Sequence, residues 1–176
     1  EATKLTDYIK NGGSVMVLLA YTDKSQPNLD RVLKAYGVQR ANGNAIAMET
    51  SGNSYNYPIN IIAGIESTDI TSDLASEKAN IIMTNAIALK TTDADAVTVT
   101  DLLTSSDGAY AKVPQNGQLP TLEKESGDVS GPFVYAVMSE DDAEGGKLAV
   151  VASQTLLEDQ ITQSLPVGNL EFFVNC

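Results

Sequence analysis

Residues 5–38, LTDYIKNGGSVMVLLAYTDKSQPNLDRVLKAYGV, carry the clearest fold signal in this chain of 176 residues. An amphipathic helical segment ends at Asn11-Gly12-Gly13, and the continuous apolar run 15–20 follows it. A polar turn over residues 21–27 leads to a second amphipathic helix, which we expect Asn28 to cap and Gly37 to end. Helix, buried strand, loop and helix in this order indicate a layered α/β domain with a parallel sheet.

Further apolar segments extend the predicted sheet, with strands expected over residues 45–49, 97–103, 133–138 and 147–152. The first strand is apolar at nearly every position, which is typical of a strand covered on both faces, as in a parallel sheet. Residues 140–146, EDDAEGG, predict a hairpin that makes one edge of the sheet antiparallel. We therefore expect a single domain over residues 1–176, a three-layer α/β fold with a mostly parallel sheet and an antiparallel edge hairpin.

Two polar turns are candidate ligand-binding sites. Parallel sheets place ligands just past the carboxyl ends of their strands, which selects Tyr21, Thr22 and Asp23 after the first strand. Thr104, Ser105 and Ser106 follow a later strand, and their hydroxyl and N–H groups suit an anion. An ordinary capped turn remains the alternative for each. If both turns meet at one end of the sheet, they form one polar pocket.

The charge distribution argues against a nucleic-acid partner. The formal net charge is −12, and residues 1–60 carry net +1 whereas residues 61–176 carry net −13. Such a surface repels phosphate backbones and anionic lipid headgroups. No apolar run approaches the ~18–20 residues that a membrane-spanning helix needs.

The composition also limits catalysis. The sequence contains no His, and its only Cys is Cys176, so neither a Cys–His pair nor a Ser–His–Asp triad exists within this chain. A Ser–Lys pair using Ser105 or Ser106 stays open, although no Ser-x-x-Lys spacing supports it. We expect a domain that is not an enzyme and that uses no cofactor, with a degenerate hydrolase as an alternative.

Two further clusters of side chains each allow a structural and a functional interpretation. Residues 140–144, EDDAE, hold four carboxylates that suit calcium, but EF-hand spacing is absent and a solvated hairpin tip explains them, so we expect no metal. Tyr55 and Tyr57, beside asparagines, are suited to stacking on a sugar or to packing within a surface loop. The chain starts without Met and stops inside an apolar helical stripe of Leu170, Phe173 and Val174, so we expect an excised domain.

Six phrases resemble a known family. YIKNGG (8–13) before the first strand and PNLDRVLKAYGV (27–38) after it are similar to the opening of the auxiliary domain of gliding-motility-type ABC transporters. That family has YL-x-x-GG and P-x-L-x-x-L-L-x-x-Y-G-I at these places. The later phrases, in the family's order, are LLTSS (102–106), GPFVYAV (131–137), GKLAVVAS (146–153) and GNLEFFVN (168–175). Residues 40–95 match poorly, and the family's Gly-Asp is missing near residues 152–154.

The resemblance implies a flavodoxin-like or class I glutamine-amidotransferase-like fold. It also implies an extracytoplasmic location on a bacterial membrane, with tethering helices outside this sequence and the permease and ATPase subunits of an ABC transporter as partners. The resulting expectation is a non-catalytic interaction or ligand-binding module of a transport system. Binding of a small solute or a glycan at the strand ends is the alternative.

Overall fold

The computed structural model describes residues 1–163 and 165–176, of which only about 22% lie in helices. The helices are α1 (Ala2–Lys10), α2 (Pro27–Ala35), α3 (Ser72–Ser76), α4 (Asp159–Thr162) and α5 (Asn169–Asn175), with a 3₁₀ helix at Gln154–Leu157. The strands are β1 (Ser14–Leu18), β2 (Val38–Arg40), β3 (Ile46–Met48), β4 (Asn60–Ile65), β5 (Ile81–Thr84), β6 (Leu89–Thr91), β7 (Val97–Thr104), β8 (Tyr110–Lys112), β9 (Val129–Ser130), β10 (Val134–Asp141) and β11 (Lys147–Val151).

The strands form two sheets. Eight of them build a mixed half-barrel in which six follow the order β1-β11-β10-β7-β4-β5, while β6 pairs with the start of β10 and with β2. The second sheet is antiparallel and has the order β3-β8-β9. Large buried side chains come from both sheets and from the helices packed on them, and they include Tyr36, Met48, Phe133, Tyr135 and Phe172.

The predicted three-layer, mostly parallel α/β fold is wrong, and so is the implied flavodoxin-like or amidotransferase-like sheet. In the described residues only β1 and β11 pair in parallel, and the other strand pairings are antiparallel. Parallel neighbours need a crossover of a dozen or more residues, usually helical. Between β2 and β10 the chain supplies one helix of five residues, so the strands return through turns instead.

Several local predictions are confirmed, and two need correction. The first helix, the 140–146 hairpin and the long strands near 97–103 and 133–138 all form. The second helix begins earlier than expected, with Gln26 at the N-cap and Pro27 in the first turn, so Asn28 is not its cap. Gly37 ends it with φ of +71°, where a Cβ would lie 2.6 Å from the Thr92 carbonyl oxygen. Strand β1 is half exposed at the sheet edge rather than covered on both faces.

The described helices are all too short or too polar to cross a lipid bilayer.

Candidate functional site

Two adjoining cavities lie beyond the carboxyl ends of the parallel strands β1 and β11. The inner cavity has a volume of about 430 Å³ and includes Leu19, Ser153 and Thr155 in its wall. The outer cavity has a volume of about 480 Å³ and includes Thr22, Asp23, Arg40 and Asn44. Tyr21 and Gly117 line both. The first predicted group, Tyr21 to Asp23, therefore lies in a concave surface at the expected end of the strand.

The end of β1 positions this group. The Leu19 N–H donates to the Val151 carbonyl at 2.8 Å, which is the last bond between β1 and β11, and the chain then leaves the sheet. The Asn44 side-chain amide donates to the carbonyls of Thr22 and Lys24, and so holds the loop against the segment between β2 and β3. Asp23 is exposed on this loop and lines the outer cavity.

Arg40 brings a positive charge to the outer cavity. Its side chain is only 7% exposed, its Nε donates to Asp30 Oδ1 at 2.8 Å, and its Nη2 donates to Gln26 Oε1 at 2.8 Å. Its Nη1 is buried without a hydrogen-bond partner among residues 1–163 and 165–176. The guanidinium is thus fixed by α2, with donor capacity left over.

A hairpin tip forms the remaining wall. Gln115 and Gln118 exchange main-chain hydrogen bonds of 2.8 and 3.0 Å, and Asn116 and Gly117 between them have φ of +51° and +78°. Positive φ at both central residues is the type I′ turn, for which Asn-Gly is the preferred pair. The Asn-Gly sequence therefore specifies the turn that brings Gly117 to both cavities.

Buried Lys112 anchors the loop that follows β8. Its Nζ lies 2.7 Å from Glu125 Oε2 and 2.8 Å from Asp128 Oδ2. Burial opposes the charged form of Lys112, but the hydrogen bonds to Asp128 and Glu125 outweigh it and raise the pKa of the ammonium. Burial likewise disfavours the ionised Asp128, yet bonds from Lys112 and from the Glu125 N–H lower the pKa of that carboxyl. The ion pairs hold the distal part of the loop, beyond the hairpin tip, against the second sheet.

The second predicted group, Thr104 to Ser106, forms hydrogen bonds within the protein. Ser106 donates its N–H to Glu49 Oε1 at 3.0 Å and its hydroxyl to Glu49 Oε2 at 2.6 Å. Ser105 Oγ accepts the Phe133 N–H at 2.8 Å, and Thr104 Oγ1 donates to Glu66 Oε1 at 2.9 Å. The donors of Thr104 and Ser106 therefore serve carboxylates of the protein itself rather than an external anion, and Ser105 bonds main-chain groups.

Sequence reasoning missed Glu49, which is 1% exposed and also accepts the Tyr135 hydroxyl at 3.0 Å. Burial, and then the charge of Glu49, raise the pKa of Tyr135 well above its usual value. The sequence feature that could have indicated its burial is that Glu49 directly follows apolar residues in the predicted strand AIAME, residues 45–49. Burial of a carboxylate requires donors such as these.

The two predicted groups do not share a cavity in the described part of the chain. Thr104 lines a separate cavity of about 400 Å³ with Lys90 and Asp101, and neither the inner nor the outer cavity includes residues 104–106. The reason is the sheet order, because β7 and β1 are separated by β10 and β11.

The acidic hairpin and the two loop tyrosines lie apart from both cavities. Asp141 Oδ1 accepts the N–H groups of Ala143 and Glu144 at 3.1 and 3.2 Å, which closes the acidic hairpin. No group of three or more metal-ligating side chains is found in the described ranges. Tyr55 and Tyr57 are 43% and 60% exposed and belong to neither the inner nor the outer cavity.

Comparison with solved structures gives a match in fold. No family model matches this chain, and no curated protein matches it. The solved structure of the mmIFT52 N-terminal domain superposes with a TM-score of 0.67 and 17% sequence identity, over 98% of this chain and 67% of that chain. At this identity the likeness concerns the fold alone.

The resemblance to the auxiliary domain of gliding-motility ABC transporters is therefore wrong, because the structural match is to the mmIFT52 N-terminal domain and no family model supports the other. Its phrases are built from Gly, Pro and apolar residues, which many strand–turn sequences share. The expected extracytoplasmic location and the expected transporter subunits as partners depended on that resemblance, and they lose their support with it.

Proposed function

We propose that this domain is a non-catalytic binding module that holds a small hydroxyl-rich solute, such as a saccharide, in the inner and outer cavities. One observation carries the proposal, namely two adjoining cavities of about 430 and 480 Å³ that share Tyr21 at the end of a parallel strand pair. Ligand-binding pockets generally measure about 300–1,000 Å³. A ligand that spans both cavities would contact Tyr21 with its middle part.

The chemistry of the wall supports a neutral polyol. A sugar hydroxyl both donates and accepts, and the outer cavity is lined by Asp23, whose carboxylate accepts, and by Thr22 and Ser25, whose hydroxyl groups do both. Tyr21 lines both cavities, and an aromatic ring is suited to stacking on the C–H side of a sugar. A multiply charged anion fits less well, because Asp30 already neutralises Arg40 and Asp23 adds a negative charge to the wall of the outer cavity.

Three observations support binding without catalysis. The chain contains no His, and burial raises the pKa of the Cys176 thiol to about 11, which keeps it protonated near neutral pH. Ser105 and Ser106, the nucleophiles of the hydrolase alternative, line neither the inner nor the outer cavity.

The proposal is tested by thermal unfolding and titration calorimetry with a panel of neutral sugars, uronic acids and inorganic phosphate. Binding to the folded state alone adds about 2.7 kcal/mol at a ligand concentration of 100 Kd, so the expected result is a rise in Tm with neutral sugars. Asp23→Asn removes a charged acceptor and should weaken binding by about 10-fold or more. Asp95→Asn, an equal charge change at an exposed site outside both cavities, is the matched control.

No shift in Tm with any sugar at tens of millimolar would contradict the proposal. A shift that Asp23→Asn and Asp95→Asn alter equally would place the binding elsewhere.

A further inference from the structure

A second pair of adjoining cavities lies where β6 and β7 meet the start of β10. One has a volume of about 410 Å³ and includes Val99 in its wall, and we call it the Val99 cavity. The other has a volume of about 400 Å³ and includes Phe133, and we call it the Phe133 cavity. Thr91 and Asp101 line both of them, and no residue of this pair lines the inner or the outer cavity. The pair is therefore separate from the site of the proposed function.

The carboxylate of Asp101, at the junction of these two cavities, is half-buried and poorly satisfied. Within the described residues its side chain accepts one hydrogen bond, from Thr91 Oγ1 to Oδ2 at 3.5 Å, which is long for such a bond. No Lys or Arg of the described ranges forms a salt bridge with it. Burial raises the pKa of this carboxyl, the bond from Thr91 lowers it, and the charge of Glu66 raises it further. A carboxylate that loses water without gaining a partner is destabilised, and a bound cation would relieve this.

The hydroxyl groups near Asp101 offer acceptors rather than donors. A threonine hydroxyl has one proton to donate. Thr91 donates its proton to Asp101, and Thr104, which lines the Phe133 cavity, donates its proton to Glu66 Oε1 at 2.9 Å. The lone pairs of both hydroxyl oxygens stay available. This part of the wall therefore suits a ligand group that donates several hydrogen bonds and accepts none.

The rest of the wall combines apolar side chains with a negative charge. Val99 lines one cavity and residues 132–134, Pro-Phe-Val, line the other, so each offers apolar surface to a hydrocarbon chain. Asp93 adds a second carboxylate to the Val99 cavity. Lys90 lines the Phe133 cavity, but it is exposed, so solvent and salt screen its charge. The two cavities together favour a ligand that is both cationic and partly apolar.

We propose that the Val99 and Phe133 cavities bind an aliphatic ammonium ion, whose ammonium group bonds Asp101 and whose hydrocarbon chain packs on the apolar wall. An ammonium group carries N–H donors and no acceptor, which complements the wall around Asp101. Its charge-assisted hydrogen bond to a carboxylate is about twice as strong as a neutral one. An anion is repelled by Asp93 and Asp101. A divalent metal ion lacks a ligand set, because no three metal-ligating side chains meet in the described ranges.

Titration calorimetry and NMR of the backbone amides test this proposal. A buffer of about 150 mM NaCl screens the general attraction of a cation to a chain of net charge −12. The probes are pentylammonium chloride and its neutral analogue, pentanol. We expect pentylammonium to shift the amide signals of Thr91 and Thr104, and pentanol to bind about 10-fold more weakly or less. A lysine side chain carries the same group, so Nα-acetyl-lysine N-methylamide is titrated in parallel, and the tighter of the two cations identifies a free amine or a peptide as the source.

A matched pair of variants isolates Asp101. Asp101→Asn keeps the size of the side chain and removes its charge, so it should weaken binding of pentylammonium by about 10-fold or more. Asp107→Asn is the control, because it makes the same charge change at an exposed position that lines neither cavity. A second readout uses the unaltered chain. A bound cation favours the ionised carboxyl, so pentylammonium should lower the pKa of Asp101 measured by carboxyl NMR, whereas pentanol should not.

Unchanged amide signals with pentylammonium at tens of millimolar overturn the proposal, and so does pentanol that binds as tightly. Equal weakening by Asp101→Asn and Asp107→Asn also overturns it, because the affinity would then belong to the acidic surface as a whole. These probes and variants leave the inner and outer cavities unaltered, so neither result bears on the binding of a saccharide there.

Discussion

The hydrogen bond between Tyr135 and Glu49 should contribute measurably to the free energy of unfolding. The Tyr135 hydroxyl donates to Glu49 Oε1 at 3.0 Å, and the two residues are 0% and 1% exposed. Hydrogen bonds to charged groups contribute about 1.5–3 kcal/mol, roughly twice the value for neutral pairs. Tyr135→Phe removes only the hydroxyl, so we expect it to destabilise the domain by about 2 kcal/mol at pH 7.

Glu49→Gln complements this change. The Gln carbonyl oxygen keeps the bonds from Ser106 N–H and Tyr135, while the Ser106 hydroxyl can rotate to accept from the new amide, so the bonds survive without their charge. Glu49→Ala leaves the donors of Ser106 and Tyr135 without an acceptor, at about 1–3 kcal/mol each. The expected order of destabilisation is therefore Glu49→Ala well above Glu49→Gln.

Urea unfolding followed by circular dichroism measures these effects, with m-values checked for constancy. The double variant Glu49→Gln/Tyr135→Phe closes a thermodynamic cycle, for which we expect a coupling energy of about 1 kcal/mol. A coupling energy near zero would refute the reasoning that the negative charge of the buried carboxylate strengthens its hydrogen bond to the phenol.

The remaining predictions concern pH, an edge, a turn and a loop. The pKa of Tyr135 is raised in the folded state, so its contribution to the free energy of unfolding is complete below pH 10 and is lost as the pH rises above that value. Tyr135→Phe should therefore lose less stability than the parent protein when urea unfolding is repeated at increasing pH above 10. Asn169→Ala should cost about 3 kcal/mol in urea unfolding, because it removes the bonds to both main-chain groups of Ile82; a loss under 1 kcal/mol would contradict this. Gly37→Ala should destabilise the domain by at least about 1 kcal/mol on thermal unfolding, because φ is +71° and the new Cβ would clash with the Thr92 carbonyl oxygen. Gly43→Ala is the control and should destabilise it less, because Gly43 has positive φ but no neighbour within 4 Å. Lys112→Met should speed proteolysis within residues 113–128, and an unchanged cleavage rate would show that the ion pairs do not hold the loop.

Local structure was predictable where it depends on neighbours in sequence. The helix before Gly12-Gly13 and the hairpin at residues 140–146 form because apolar spacing and turn residues act over a few positions. The position of Tyr21 to Asp23 beside the cavities was also predictable, because it needed only the direction of β1 and its place at the end of the strand.

The prediction of the global fold was wrong because the helix–strand–helix pattern of residues 5–38 was extended to the whole chain. Residues 41–131 contain seven strands, β3 to β9, and a single five-residue helix, and their turns return the chain to antiparallel neighbours. The apolar run of β1 indicated burial on both faces, yet β1 lies at an edge, since composition does not report how many neighbours a strand has.

The amino-acid sequence alone determined that this chain has no imidazole side chain and a strongly negative net charge, because both are properties of composition. Only the tertiary structure decided the strand order and the meeting of Glu49 with Ser106 and Tyr135, which lie 57 and 86 residues away along the chain. Strands pair through main-chain groups that nearly every residue shares, so pairing partners are selected by the packing of the whole chain and not by a local code.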